Sequence, residues 1–389
     1  METGALILRL AWLAALFSAL AILAYERKKD RKLLKFLPIG VRLSTGLLTL
    51  AIFLLTYYFY IPNFSIDYVF SRTSLATPLV YRISAVWAGQ EGSLLFWAWM
   101  ISLSSLLISE RRGWKKQFER RTQVVILLGF LFFLAMAMSS SPFKLTYTGA
   151  ERVALENKVP LEAVLGYYGN LGLYETGKGF VDGQGMSPSL MSPWMALHPP
   201  LVFAAYGLLI VPFAACIIYL LNGKGDWEGL SRRYARCSWL FLTSGIALGS
   251  FWAYEELAYG GYWSWDPVEV SSLIPWLTLT AFLHASIQFR RKKSFRVLAP
   301  FLALSSMVLV IYATFITRSG VLKSVHAYSG TAVGNFLLGA VLISGAAAFL
   351  LSFRRLLSNR KREKKKLRKS DLTYQTFYLS ILLLFVIAL

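Results

Sequence analysis

The sequence predicts an all-α protein that crosses a membrane about ten times, with its N-terminus outside the cytoplasm. Hydrophobic residues make up 56% of the 389-residue chain and charged residues only 16%, a balance that a water-soluble domain of this length could not keep in solution. Apolar stretches of about 20 residues recur, and helices of that length span the hydrocarbon core of a bilayer. Basic residues concentrate in every second connecting segment, which is typical of cytoplasmic loops.

Each membrane-spanning helix is predicted from one of ten apolar stretches. The stretches lie near residues 4–25, 41–61, 85–109, 122–140, 198–221, 237–256, 271–289, 298–317, 331–353 and 372–389. No basic segment precedes the first stretch, whereas residues 26–35 after it are basic. We therefore expect the first stretch to remain as a helix rather than to be cleaved as a signal peptide.

The formal net charge of +21 does not indicate a nucleic-acid partner, because the basic residues are confined to short runs between apolar stretches. These runs are residues 26–35, 110–121, 223–236, 290–296 and 354–369. We interpret them as cytoplasmic loops, and residues 354–369 as a solvated face that contacts anionic lipid headgroups. Only two cysteines occur, Cys216 and Cys237, so we expect neither a disulfide framework nor a cysteine-based metal site.

The segments that remain on the outer side are where we expect the chemistry. They are residues 62–84, 141–197, 257–270 and 318–330. The predicted organisation is four N-terminal helices, an outer loop cap with a short helix near residues 151–158, a functional core and C-terminal helices. The corresponding ranges are 1–140, 141–197, 198–330 with a distinctive segment at 257–276, and 331–389.

Two of the three histidines lie at the outer ends of predicted spans. His198 lies where the long outer loop enters the fifth stretch, and His326 lies just outside the eighth. Neutral imidazoles are good iron ligands, and one on each side of a flat apolar ligand provides bis-histidine haem coordination. The topology therefore predicts two candidate haem ligands on one membrane face.

An aromatic segment falls between these histidines in the sequence. Its rings and glycines could cover a porphyrin face or edge, and they are Tyr259, Gly260, Gly261, Tyr262, Trp263 and Trp265. An aromatic belt at the membrane interface is the alternative interpretation. The density of the rings and the neighbouring Asp266 favour a binding site.

Residues 259–276, YGGYWSWDPVEVSSLIPW, resemble the tryptophan-rich WWD signature of the haem-handling family that includes CcmF, CcmC and CcsA. Residues 78–97, 182–200 and 314–328 are similar to segments of the CcmF branch, and CcmC is much shorter and lacks the first of them. The resemblance covers roughly residues 75–330. Tyrosines replace two of the usual tryptophans of the signature, a change that keeps a flat amphipathic ring.

This resemblance implies a role for each candidate residue. His198 and His326 match the axial ligands of substrate haem, and His284 matches the ligand of a resident haem b within a helix. About 13 residues of helix at about 1.5 Å each would place His284 about 20 Å inward from the signature. A structural histidine is the alternative. Arg82 and Arg318 are candidates for the haem propionates, with snorkelling at helix ends as their alternative.

The resemblance also implies a function, cytochrome c maturation at the cytoplasmic (inner) membrane. On this hypothesis haem is held at the extracytoplasmic face and joined by thioether bonds to the CxxCH motif of apocytochrome c. The expected partners are apocytochrome c, a CcmE-like haem chaperone and CcmH-like maturation subunits. The family pairs the equivalent of His284 with a later histidine, so we expect a partner subunit or further segment to supply it.

Two other functions remain open at this stage. A CcmC-like haem carrier would pass haem to a chaperone without ligation chemistry, but the segment 78–97 and the additional spans argue against it. A b-type redox subunit that handles quinone would need histidine pairs facing each other within helices. Only His284 lies deep in a predicted span.

Overall fold

The computed structural model describes residues 3–112, 114, 116–256, 261–322 and 331–362. The described part is almost entirely helical, which confirms the all-α prediction. Its helices are α1 (Thr3–Lys28), α2 (Leu37–Tyr60), α3 (Asp67–Arg72), α4 (Leu79–Ala88), α5 (Gln90–Arg112), α6 (Gln117–Ser139), α7 (Thr146–Asn157), α8 (Leu161–Asn170), α9 (Pro193–Asn222), α10 (Trp227–Glu256), α11 (Pro267–Lys292), α12 (Leu298–Arg318) and α13 (Thr331–Arg362). The strands β1 (Tyr174–Glu175) and β2 (Gly179–Phe180) form one antiparallel hairpin.

Eight of the described helices are long and apolar enough to cross a membrane, which confirms a polytopic membrane protein. They are α1, α2, α5, α6, α9, α11, α12 and α13. The predicted stretch at 237–256 forms the last two thirds of α10, which packs closely along α9. Its Trp, Tyr, Ser and Gly residues lower its hydropathy below that of the eight helices. The predicted stretch at 372–389 lies outside the described residues.

The third predicted stretch is not one continuous helix, because the chain breaks at Gly89 between α4 and α5. The Tyr68 hydroxyl accepts a hydrogen bond from the Gly89 backbone N–H at 2.9 Å. A Cβ atom on Gly92 would lie 1.6 Å from the Val86 carbonyl oxygen, so the two helix ends approach this closely only with glycine there. The break places Glu91 in the first turn of α5, as a helix N-terminal acid.

Helix α9 is central, since it packs against α5, α6, α10, α12 and α13. Buried hydroxyl groups connect it to its neighbours. Ser104 of α5 donates to the Gly207 carbonyl at 3.0 Å, and Ser238 of α10 donates to the Ala205 carbonyl at 2.8 Å. Such bonds fix one helix against another where no water competes for the carbonyls. The middle of α9 is thereby fixed against α5 and α10.

Residues 141–197 form a small irregular layer over this end of the bundle, and α7 contains the helix predicted near residues 151–158. The layer pairs with the chain around α3, where the Asp67 N–H donates to the Lys144 carbonyl at 2.8 Å. The Asp67 carboxylate also lies 3.7 Å from the Lys144 ammonium group. Burial raises the pKa of Asp67, and the Lys144 charge partly offsets that rise. The division of the chain into four units stays a prediction.

Candidate haem site

A cavity of about 460 Å³ lies where α9 and α11 begin and where α4, α10 and α12 end. We call it the His198 cavity. Its volume is in the range of pockets that hold organic ligands, roughly 300–1,000 Å³. Three predicted site residues line it, namely His198, Trp263 and Arg318. Further lining side chains that the sequence analysis did not single out are Arg72, Trp87, Met195, Phe203, Trp252 and Glu269.

The His198 ring is held in one orientation by the neighbouring helix. Its Nδ1 lies 2.7 Å from the Gly245 carbonyl oxygen of α10. Because a carbonyl can only accept, Nδ1 carries the proton and Nε2 keeps the lone pair that can bind a metal. In histidines that bind a metal through one ring nitrogen, the other ring nitrogen usually donates a hydrogen bond, often to a backbone carbonyl. The ring also stacks near Trp252, with centroids 6.4 Å apart and planes inclined by 28°.

Gly249 makes room for this ring on the surface of α10. A Cβ atom added at Gly249 would lie 2.9 Å from both Cε1 and Nδ1 of His198. Contacts that short do not occur between real Cβ atoms and ring atoms, so the imidazole reaches the Gly245 carbonyl only because residue 249 has no side chain. No signal in the sequence indicated this role for Gly249.

Two arginines bring positive charge to the cavity wall. Arg318 is only 2% exposed, and its Nη2 donates to Ser93 Oγ at 2.8 Å. Arg72 lies at the end of α3, and its buried Nε has no hydrogen-bond partner among the described residues. Both guanidinium groups interact electrostatically with Glu91. The wall therefore offers cationic donors for carboxylate groups of a ligand.

Backbone hydrogen bonds fix the position of Arg72. The Gln184 N–H donates to the Phe70 carbonyl at 2.8 Å, and the Gly185 N–H donates to the Thr73 carbonyl at 3.1 Å. Arg72 thus lies between two anchored positions. The position of Arg72 within the predicted outer segment 62–84 was a signal that could have identified it. Arg82 does not line the His198 cavity, and its assignment to a propionate stays a prediction.

The aromatic signature is divided between the cavity and the surface. Trp263 lines the His198 cavity, whereas Trp265 is 71% exposed and has a positive φ of 61°. Tyr262 stacks on Tyr254, with centroids 4.4 Å apart. Gly261 leaves open space where a side chain would begin. Among the described signature residues before α11, the aromatic contact with the cavity comes from Trp263.

Asp266 has a local structural role, because it is the N-cap of α11. Its carboxylate accepts from the Val268 N–H at 2.9 Å, and the Glu269 carboxylate accepts from the backbone N–H of Asp266 at 3.3 Å. This capping box ends the loop and begins the helix at a fixed point. The Asp-Pro-Val-Glu sequence thus positions Trp263 relative to the cavity. A contact between Asp266 and haem stays a prediction.

The remaining predicted residues are apart from the cavity or outside the described structure. His326, Tyr259 and Gly260 lie outside the described residues. His284 is exposed on α11, and its Nδ1 lies 2.9 Å from the Thr280 carbonyl. It is 15 residues beyond Glu269, which corresponds to about 22 Å of helix at about 1.5 Å per residue.

Comparison with known proteins identifies the family to which this chain belongs. The family model described as Cytochrome C assembly protein matches residues 87–326, which is more than half of the chain. The chain belongs to the cytochrome c assembly protein family. The matched range contains His198, Trp263, His284 and Arg318. The haem-handling resemblance predicted from the sequence is therefore confirmed.

Relatives within this family include proteins named cytochrome c-type biogenesis protein CcmF. The Haemophilus influenzae protein is 34% identical over 77% of this chain and 43% of its own length. The Escherichia coli protein is 34% identical over 76% of this chain and 42% of its own.

A solved structure titled Cytochrome c Heme Lyase CcmF is 25% identical with a TM-score of 0.69, covering 90% of this chain and 51% of that chain. The chain thus spans about half the length, or less, of the proteins it matches.

Proposed function

We propose that this chain holds haem in the His198 cavity and works in cytochrome c maturation, as part of a haem lyase. The observation that carries the proposal is an imidazole fixed by a backbone carbonyl in a cavity lined by tryptophans and arginines. This donor set fits haem, which needs a neutral nitrogen ligand, flat apolar contacts and partners for two carboxylates. Related proteins named CcmF and cytochrome c haem lyase support the same conclusion.

The reaction would join haem to the CxxCH motif of apocytochrome c. In thioether formation the cysteine S–H adds across a haem vinyl group, so the sulfur bonds to one vinyl carbon and the proton to the other. No redox partner is needed for this addition. The protein contributes by holding haem in one orientation, because fixing both reactants removes much of the entropic cost of their encounter.

Each cavity residue has a proposed part in holding substrate haem. His198 Nε2 would bind the iron, with His326 as the second axial ligand. Trp263 and Trp252 would cover the porphyrin, and Arg72 and Arg318 would bind propionates. A haem-stained CxxCH reporter tests the function in cells that depend on this protein and its partners for maturation. Haem binding without a stained reporter would instead support a haem carrier.

The Arg72 assignment is tested by comparing two arginines. Arg72→Gln should weaken haem binding roughly 10- to 150-fold, because one charge-assisted hydrogen bond contributes roughly 1.5–3 kcal/mol. Arg152→Gln is the control, since Arg152 is exposed on α7, pairs with Glu156 and does not line the cavity. Haem titration of both purified variants measures the difference. Equal weakening in the two variants would remove the special role of Arg72.

A resident haem b at His284 is a separate proposal. The exposed imidazole is oriented by the Thr280 carbonyl, and Trp239 donates to Thr280 Oγ1 at 2.8 Å while stacking on Trp276. These flat rings could contact a porphyrin beside α11. We expect His284→Ala to remove haem b from the purified protein while the His198 cavity still binds added haem. Pyridine haemochrome spectra recorded before and after haem addition measure the two amounts, and an unchanged haem b content before addition would contradict this assignment.

The proposed orientation places residues 141–197 outside the cytoplasm and residues 354–369 inside. Single cysteines at Gly169 and Asn359 should therefore react with an impermeant maleimide from opposite sides of the membrane. The parent protein for this test needs both native cysteines replaced, because the Cys237 side chain is partly accessible. Labelling of both positions from the same side would overturn the orientation, and with it the extracytoplasmic face of the His198 cavity.

We also propose apocytochrome c, a CcmE-like haem chaperone and CcmH-like subunits as partners. The exposed rings of Trp265 and Tyr262 lie in the segment that leads into the His198 cavity, through Trp263. Exposed aromatic side chains beside a cavity are suited to contact an incoming polypeptide or carrier. Cross-linking from cysteine at Trp265 to a CxxCH peptide measures this contact.

A further inference from the structure

A second cavity of about 750 Å³ lies towards the other end of α10, where that helix begins and α5 ends. We call it the arginine groove. Four of its eight lining residues are arginines, and the complete lining is Arg111, Gly229, Leu230, Arg232, Arg233, Tyr234, Arg236 and Cys237. Residue 234 is 15 residues before residue 249, so the groove is about 22 Å of helix from the His198 cavity at about 1.5 Å per residue.

The arginine groove carries more positive charge than its own carboxylates neutralise. Arg232 pairs with Glu228 through two hydrogen bonds, both at 2.8 Å. The side chains of Arg111, Arg233 and Arg236 are exposed, and none forms an ion pair with a carboxylate of the described residues. Guanidinium groups around a concave surface bind phosphate oxygens through paired N–H donors. The groove is therefore suited to a phosphate group.

Apolar side chains border the arginine groove on the helices that form it. Leu107 lies one turn before Arg111 on α5 and is 42% exposed. Leu240 lies one turn after Arg236 on α10 and is 57% exposed. Exposed leucines on membrane-spanning segments contact acyl chains, whereas arginines at the same helix ends lie at headgroup depth. A ligand that contacts both the arginines and the leucines would have a phosphate joined to hydrocarbon chains.

We infer that the arginine groove binds the phosphodiester headgroup of an anionic membrane phospholipid. Basic pockets between helices at this kind of position bind anionic headgroups in other membrane proteins. The phosphodiester of the bound lipid would accept hydrogen bonds from Arg111, Arg233 and Arg236 and fill the space between α5 and α10. This site is independent of the proposed haem function, because it shares no lining residue with the His198 cavity.

The test compares lipid retention by two double variants of the whole protein in detergent. Arg233→Gln with Arg236→Gln should bind phosphatidylglycerol about 30-fold more weakly, since each arginine near an anionic headgroup contributes about fivefold in affinity. Arg290→Gln with Arg291→Gln is the matched control, because those side chains are exposed at the end of α11 and do not line the groove. Native mass spectrometry with added phosphatidylglycerol or phosphatidylcholine measures the bound lipid.

A second experiment distinguishes a lipid headgroup from a free phosphate ion, by adding inorganic phosphate in place of lipid. We expect phosphatidylglycerol to raise the thermal unfolding temperature of the parent protein and of the control, and inorganic phosphate to leave it unchanged. Equal retention of phosphatidylglycerol by both double variants would overturn the lipid site. Stabilisation by inorganic phosphate that disappears in the Arg233 and Arg236 variant would also overturn it, in favour of a free phosphate.

Discussion

Replacing His198 with alanine is expected to reduce haem attachment to a CxxCH reporter by about 100-fold, the upper end of the effect of removing groups that orient a metal ligand. The substitution removes the imidazole, whose Nδ1 is held by the Gly245 carbonyl and whose Nε2 is the proposed iron ligand. Trp263 and Trp252 would still provide apolar contact, so haem should bind more weakly and the iron should become five-coordinate. Haem staining of the reporter and absorption spectra of the purified variant measure the two effects.

Rescue by free imidazole distinguishes the loss of a ligand in His198→Ala from misfolding of the variant. Free imidazole can enter the space left at residue 198, and it should restore part of the reporter staining. Ser250→Ala is the matched control, because it changes the lining of the same cavity without removing a nitrogen ligand. Normal staining in the His198→Ala variant would contradict its proposed role as an axial ligand. The same outcome would remove the main support for haem binding in this cavity.

Gly249→Ala is expected to reduce reporter staining between about 10- and 100-fold, because it disturbs the group that orients His198. The new Cβ atom would lie 2.9 Å from the imidazole ring, so the ring must rotate away from the Gly245 carbonyl. The helix itself should gain about 1 kcal/mol of stability, since alanine has a higher helix propensity than glycine. We therefore expect less haem binding in a protein that is at least as abundant in the membrane.

Gly46→Ala provides the matched control for this substitution. Gly46 lies within α2, and a Cβ atom there meets open space. The control should keep full reporter staining and a normal haem spectrum. An unchanged spectrum in Gly249→Ala would show that the orientation of His198 does not depend on the bond to Gly245. Such a result would weaken the proposed tautomer without affecting the family assignment.

The sequence by itself determined the fold class, most of the spans and the location of His198 at a helix end. These features depend on local composition. An apolar stretch of about 20 residues favours a membrane helix, because an unpaired backbone group in lipid is costly. The Asp-Pro-Val-Glu sequence likewise begins α11 through a capping box within four residues. The motifs also indicated the haem-handling family, which the family match confirmed.

Only the tertiary structure decided which side chains share the His198 cavity. Arg72 enters it because residues 184 and 185 pair with the chain on either side of Arg72, and Gly249 admits the His198 ring because α10 packs against α9 at that level. Trp263 and Trp265 are only two residues apart in sequence, yet Trp263 lines the cavity and the Trp265 ring is 71% exposed. These relations depend on the rotation and depth of helices that are distant in sequence. Local hydropathy does not contain that information, since it fixes the length of a helix but not its partners.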